Sequence, residues 1–247
     1  MRDSIKALVL AAGKGTRLRT EGIDLPKVMR LAGGKPLLGH VLEALDFLPR
    51  RDVILVVGYE REKVLAAFPG YPHAVQAEQH GTGHAVQCAA PLLAGFDGHV
   101  LVCCGDTPLM RRETFRALIG EHLSSGSDCT LLSAVLDEGG NYGRILREAD
   151  GSFRAIVEAR DCTPEQAAVR EVNVGAYLFR CAKLLPALDR LKNDNAQGEL
   201  YLTDVPGILK AGGGRVRVCP ACSPTEMLGV NTPEQLAEVE SLLARGV

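Results

Sequence analysis

The first half of the chain alternates short unbroken apolar runs with stretches of helical periodicity. Ile5–Ala11 (IKALVLA) is such a run, closed by glycine, and suits a strand buried on both faces. From Pro36 to Leu48, residues Leu37, Leu38, Val41, Leu42, Leu45 and Leu48 recur at helical spacing, and Pro36 is acceptable in a first turn. Asp52–Gly58 predicts the next strand, Glu60–Phe68 a helix ended by Pro69-Gly70, and Ala74–Ala77 a brief strand. Thr82–Leu93 predicts a helix opening on a glycine-rich turn, His99–Cys104 another buried strand, and Glu113–Leu123 another helix. This order implies an α/β fold with a mostly parallel sheet and helices on both faces.

The second half is richer in strands. Cys129–Leu136, Gly143–Glu148, Phe153–Ala159, Val172–Phe179 and Arg215–Cys219 read as strands, separated by turns such as Asp150-Gly151. Helices are expected over Ala182–Leu191, Leu202–Lys210 and Pro233–Leu243. No repeat, low-complexity segment or charge block marks a linker. The expected organisation is one two-lobed domain over residues 1–231, followed by a C-terminal helix in 232–247 packed on it.

Composition narrows the function classes. With 28 Lys+Arg against 30 Asp+Glu, the net charge of −2 provides no global basic field, so nucleic acid is not an expected partner. An apolar fraction of 46% is too high for a disordered chain. No apolar stretch is long enough for a membrane span, and Met1–Lys6 lacks the character of an export signal. Most of the eight cysteines (Cys88, Cys103, Cys104, Cys129, Cys181) lie inside apolar runs as small hydrophobes, so a reducing cytoplasm is the expected setting. Cys219-x-x-Cys222 has metal-ligand spacing, but no second pair or histidine partner follows, which favours strand-end thiols.

Several segments carry candidate chemistry. Leu10-Ala11-Ala12-Gly13-Lys14-Gly15-Thr16-Arg17 directly follows the first strand, where small residues let backbone N–H groups approach phosphate oxygens and Lys14 and Arg17 add positive charge. It is neither a Walker loop nor the dinucleotide G-x-G-x-x-G, and an ordinary βα turn is the simpler alternative. Lys27, placed by Pro26, either reaches the same phosphates or belongs to a solvated turn. In Gln76–Ala85, Gly81 and Gly83 flank Thr82, which is either part of a ligand loop or a helix cap, and Gln76 offers both a donor and an acceptor to a base edge. Asp106 follows a central strand, where a carboxylate is a plausible Mg²⁺ ligand as well as a turn cap. Asn231, before a helix with Pro233 in its first turn, is a cap or a second oxygen ligand. Tyr142-Gly143-Arg144-Ile145, Ile156-Val157-Glu158 and Glu171-Val172-Asn173-Val174-Gly175 supply amides and a carboxylate of the kind a sugar needs.

Taken in order, L-A-A-G-x-G-T-R, P-K, Q-A-E-Q-x-G-T-G-H-A, G-D-x-P-L, Y-G-R-I, I-V-E, E-x-N-x-G, N-A-Q-G-E-x-Y-L-T-D and G-V-N closely resemble the bacterial N-acetylglucosamine-1-phosphate uridyltransferases, from about Ile5 to Asn231. The resemblance is to the N-terminal domain of the bifunctional uridyltransferase/acetyltransferase. It implies a Rossmann-like nucleotidyltransferase fold, with a nucleotide lobe over about 1–110 and 215–231 and a sugar lobe over about 111–214. It also implies UTP and a sugar 1-phosphate as substrates and Mg²⁺ as cofactor. Leu10, Ala11, Ala12, Gly13, Gly15, Thr16, Arg17, Lys27, Gln76, Gln79, Gly81 and Thr82 would bind the nucleotide. Gly143, Glu158, Asn173 and Thr203 would line the sugar-phosphate side. Asp106 and Asn231 would hold the metal, and Arg17, Lys27 and Asp106 would be catalytic. Two features depart from the family pattern: Cys104 stands where close relatives often carry Tyr, and Leu18–Leu25 looks a few residues longer. No hexapeptide periodicity is present, so acetyl transfer is not expected of this chain.

Overall fold

The computed structural model describes residues 3–18 and 25–246. Most of the long Leu18–Leu25 insertion lies outside the described residues. In chain order the elements are β1 (Ile5–Ala11), a two-residue-arm hairpin of β2 (Leu31–Ala32) and β3 (Lys35–Pro36), α1 (Leu37–Ala44), β4 (Val53–Val57), α2 (Arg61–Ala67), β5 (His73–Val75), α3 (Thr82–Ala89), β6 (His99–Cys104) and α4 (Arg112–Ser125). They continue with β7 (Cys129–Val135), β8 (Arg144–Arg147), β9 (Phe153–Val157), α5 (Pro164–Ala167), β10 (Glu171–Arg180), α6 (Cys181–Leu188), α7 (Val205–Ala211), β11 (Val216–Cys219) and α8 (Pro233–Ala244).

Among the described residues the main sheet runs β11-β7-β10-β6-β1-β4-β5, with β8 and β9 attached beside β10. The pairs β1–β4, β1–β6 and β4–β5 are parallel, as the alternating pattern of the first half predicts, and β7–β11 is parallel as well. Strand β10 inserts antiparallel between β6 and β7 and also pairs antiparallel with β8, which in turn pairs antiparallel with β9. Its register against β7 shifts between Asn173 and Tyr177, a bulge that bends the strand over the carboxyl end of β6.

Period-two alternation divides the core between the two sheet faces. Ala7, Val9 and Ala11 of β1 point to one face, with Leu38 and Val41 of α1, Val64 of α2 and Phe115 and Leu118 of α4. Leu8 points to the other, with Val86 of α3, Leu184 of α6 and Val205 of α7. Each fully buried Leu, Val or Phe contributes roughly 1.5–3 kcal/mol. Helix α8 packs Val239 against Leu18, Ala32, Leu37, Leu109 and Val230. All eight cysteines are free thiols, and Cys219 and Cys222 are buried in the first of these two faces. No helix of the described residues is long and apolar enough to cross a membrane.

Candidate active site

From β1 the chain crosses through α1 to β4 and through α2 to β5 on one side, then returns through α3 to β6 on the other side of β1. A crevice therefore opens outside the carboxyl ends of β1 and β6, where open α/β sheets hold ligands. Gly105 N–H donates to the Leu10 carbonyl at 2.9 Å, which keeps the two strand ends together as they leave the sheet.

A cleft of about 280 Å³ occupies this position, lined by Leu10, Ala12, Gly13, Lys27, Val28, Gln76, Gln79, Gly81, Thr82, Ala85, Cys104, Asp106 and Glu199. The first loop, the Gln76–Thr82 loop and the Asp106 turn are thus brought to one wall-to-wall space. Of the first loop, Ala11 instead points into the core, and Thr16 and Arg17 lie exposed on a short 3₁₀ turn away from the cleft lining. Gly15 has φ +64°, and a Cβ there would stand 2.6 Å from Lys27 Cβ. This glycine lets the first loop lie directly on the backbone of Lys27.

Lys27 begins a 3₁₀ turn after Pro26, with its side chain 16% exposed. Its ammonium donates to Asp106 Oδ2, forming an ion pair, and to Asn231 Oδ1 at 3.0 Å. Lys27 is therefore no solvated turn residue. Asn231 is no helix cap either: Thr232 caps α8 by accepting from Gln235 N–H, and Asn231 Nδ2 donates to the Gly229 carbonyl at 3.3 Å. Val230 N–H donates to the Asp106 carbonyl at 3.0 Å, so the two oxygen-bearing residues are held side by side.

The second loop is built against residues 199–203. Gly81, not Thr82, occupies the N-cap of α3. The Thr82 hydroxyl accepts from Leu202 N–H at 3.1 Å, Leu200 N–H donates to the His80 carbonyl at 2.8 Å, and Gly83 N–H donates to the Leu200 carbonyl at 2.8 Å. At Gly81, with φ +102°, a Cβ would meet the Leu200 carbonyl oxygen at 2.5 Å. The glycine serves close approach to residues 199–203 as much as approach to any ligand. That contact places Glu199 in the cleft wall, a residue that the N-A-Q-G-E-x-Y-L-T-D segment contained without marking it. Gln76 is 4% exposed; its Nε2 donates to the Gly81 carbonyl at 3.0 Å and lies 3.2 Å from His84 Nδ1.

Gly143, Glu158, Asn173 and Thr203 form a separate group. Thr203 Oγ1 donates to Glu158 Oε1 at 2.9 Å, a Cβ on Gly143 would lie 3.6 Å from the Glu158 carboxyl, and Asn173 N–H donates to the Gly143 carbonyl at 2.8 Å. Burial raises the Glu158 carboxyl above its ordinary pKa, an effect the Thr203 bond partly offsets. The Asn173 side chain is engaged within the β10 bulge, donating to Tyr177 Oη at 2.7 Å and accepting from Gly175 N–H at 3.2 Å. Cys104 lies between this group and the cleft, its Sγ 4.0 Å from the Gly175 carbonyl. Burial first, then the Asp106 charge, pushes its thiol up to about 12, so it is a neutral wall at ordinary pH.

A doubly faced α/β domain with glycine-rich loops and a lysine–carboxylate pair at its switch point belongs among nucleotide-handling folds. The family model described as the MobA-like NTP transferase domain matches residues 7–205, and the chain belongs to that family. The "Bifunctional protein GlmU" of Corynebacterium aurimucosum is 45% identical over 247 residues, covering 97% of this chain and 50% of that protein. The protein of the same name from Streptomyces avermitilis is 45% identical over 242 residues (96% and 50%), and that from Pelotomaculum thermopropionicum 41% identical over 244 (98% and 53%). The chain spans about half the length of the curated relatives it matches. These likenesses bear out the resemblance drawn from the sequence motifs.

Proposed function

We propose that the chain transfers a uridylyl group from UTP to N-acetylglucosamine 1-phosphate, giving UDP-N-acetylglucosamine and pyrophosphate. The observation that carries this reading is the convergence on one cleft of Gly13, Lys27, Gln76, Gly81, Thr82 and Asp106, drawn from four separate segments. The sugar-1-phosphate oxygen is already anionic and attacks the α-phosphorus in line, so no protein base is needed. Charge accumulates on the departing pyrophosphate, which Lys27 is placed to offset and the backbone N–H groups about Gly13 to orient. Arg17, exposed beside this loop, is assigned to the outer phosphates. Gln76 and Gly81 face the base; Glu158 and Thr203, with Gly143 and Asn173, take the sugar. The eight free thiols support a reducing, cytoplasmic setting.

The donor set fits Mg²⁺. The carboxylate of Asp106 and the amide oxygen of Asn231 already converge on one cationic atom, Lys27 Nζ, and hard oxygens in this number are typical for Mg²⁺ bound together with phosphates. When bound, the ion would neutralise developing charge on the phosphate oxygens.

Pyrophosphate release from the protein with Mg²⁺, each NTP and a panel of sugar 1-phosphates tests the reading. Release is expected with UTP and N-acetylglucosamine 1-phosphate. Preference for glucose 1-phosphate with UTP or dTTP would replace the substrate pair, and no release with any pair despite nucleotide binding would leave a binding protein only.

A further inference from the structure

Lys27 Nζ, Asp106 and Asn231 come from positions 79 and 204 residues apart, yet they form one closed unit. The ammonium bonds both side-chain oxygens, and the side chains of Lys27 and Asp106 are only 16% and 14% exposed. The two oxygens that would ligate a divalent cation are therefore the same two that hold Lys27. Gly15 packs against Cα, Cβ and Cγ of Lys27 and Pro26 precedes it, so the residue is anchored at its base, while the outer carbons of its flexible stem can carry the ammonium to another position once its partners are taken.

We propose that Lys27 and a divalent cation compete for Asp106 and Asn231, so that cation entry releases the Lys27 ammonium to the nucleotide phosphates. The inference rests on the reading of Asp106 and Asn231 as the cation's protein ligands. A cation arriving alone must displace Lys27 with no new partner to receive it, leaving two positive charges in one half-buried space. A cation arriving with a polyphosphate brings that partner with it. Cation and nucleotide therefore bind with positive coupling, and Lys27 is the element that couples them. The same exchange keeps the carboxylate neutralised at every stage, which lowers the cost of holding Asp106 partly buried before substrate arrives.

Removing the Lys27 charge should therefore improve metal binding. Mn²⁺ is the probe, measured by loss of the free-ion electron paramagnetic resonance signal with no nucleotide present. Lys27→Met keeps the stem that packs on Gly15 and removes the charge. It is expected to tighten Mn²⁺ binding on the order of tenfold or more relative to the unaltered protein. Lys27→Gln, which retains a donor for both oxygens, is expected to move in the same direction and serves if the methionine variant does not fold. The double variant Lys27→Met/Asp106→Asn should lose the gain. Unchanged or weaker Mn²⁺ binding in both single variants would overturn the competition, as would a gain that survives loss of the Asp106 charge. Absence of uridylyl transfer in the unaltered protein, with the Mn²⁺ gain intact, would strike the proposed reaction and leave the exchange standing.

Discussion

Two polar clusters sit at opposite ends of β6 and solve the burial of charge in opposite ways. At the carboxyl end, Lys27 and Asp106 form an ion pair that borders an open cleft, and Lys27 also donates to the neutral amide of Asn231. At the amino end, His99 Nδ1 lies 2.9 Å from His122 Nε2, and His122 Nδ1 lies 2.9 Å from Thr130 Oγ1. His122 is fully buried, and desolvation, followed by the charges of His99 and Arg180, lowers its pKa to about 4 against the pull of Asp128. His122 is held neutral there and ties α4 to β6 and β7. Charge is kept as a pair at the edge of a cleft and discharged on an imidazole buried in the packing.

The largest test of this contrast is Asp106→Ala. Pyrophosphate release should fall on the order of a thousandfold or more, while the melting temperature stays close to that of the unaltered protein. A rate near the original at saturating Mg²⁺ would erase the functional side of the comparison. His122→Ala should do the reverse. Loss of the buried ring and of partners for His99 and Thr130 should cost roughly 2–4 kcal/mol in urea unfolding. The kcat/KM of the protein that remains folded should not change. A rate loss matching that of Asp106→Ala would mean that the two ends are not separate.

Acid titration sharpens the comparison further. His122 is held neutral in the fold with a pKa near 4, below the ordinary value of 6.5. The unfolded chain therefore binds the extra proton first. The stability that His122 contributes is complete above about pH 6.5 and is lost as pH falls toward about 4. His122→Gln, which retains a polar partner, should flatten the stability curve in that window; an identical curve would place the titration elsewhere.

Glu158 is the intermediate case and the smallest expected effect. Burial penalises its charged form, so Glu158→Gln should raise the melting temperature slightly at pH 7 and not at pH 4, where the carboxyl of the unaltered protein is protonated. The same variant should weaken the KM for the sugar 1-phosphate, by roughly tenfold for one lost charge-assisted contact. A lower melting temperature at pH 7 with an unchanged KM would make Glu158 a structural residue.

Strands β1, β4 and β6 were readable because unbroken apolar runs of five or six residues, each followed by glycine, leave few alternatives. The helix expected at Thr82–Leu93 divides into α3 and a 3₁₀ turn at Ala90–Leu93, where Pro91 stops regular hydrogen bonding. The β2–β3 hairpin and the four-residue α5 escaped notice because elements this short bury almost nothing of their own. In the site, Leu10, Ala12, Gly13, Gln76, Gln79, Gly81, Thr82, Lys27 and Asp106 were legible from motifs beside strand ends. Glu199 was not, because it reaches the cleft only through the pairing of Leu200 with His80 and Gly83.

What the sequence by itself determined is the local vocabulary: buried parallel strands, the turns at their ends, and the residue types that suit phosphates and a divalent cation. Apolar periodicity and glycine act over a few residues, so they are written where they act. Only the tertiary structure decided that β10 runs antiparallel between β6 and β7, that Thr82 holds the 199–203 loop instead of capping its helix, and that Lys27 bridges Asp106 and Asn231. Each of these joins groups far apart in the chain, and their meeting is set by how the whole sheet packs.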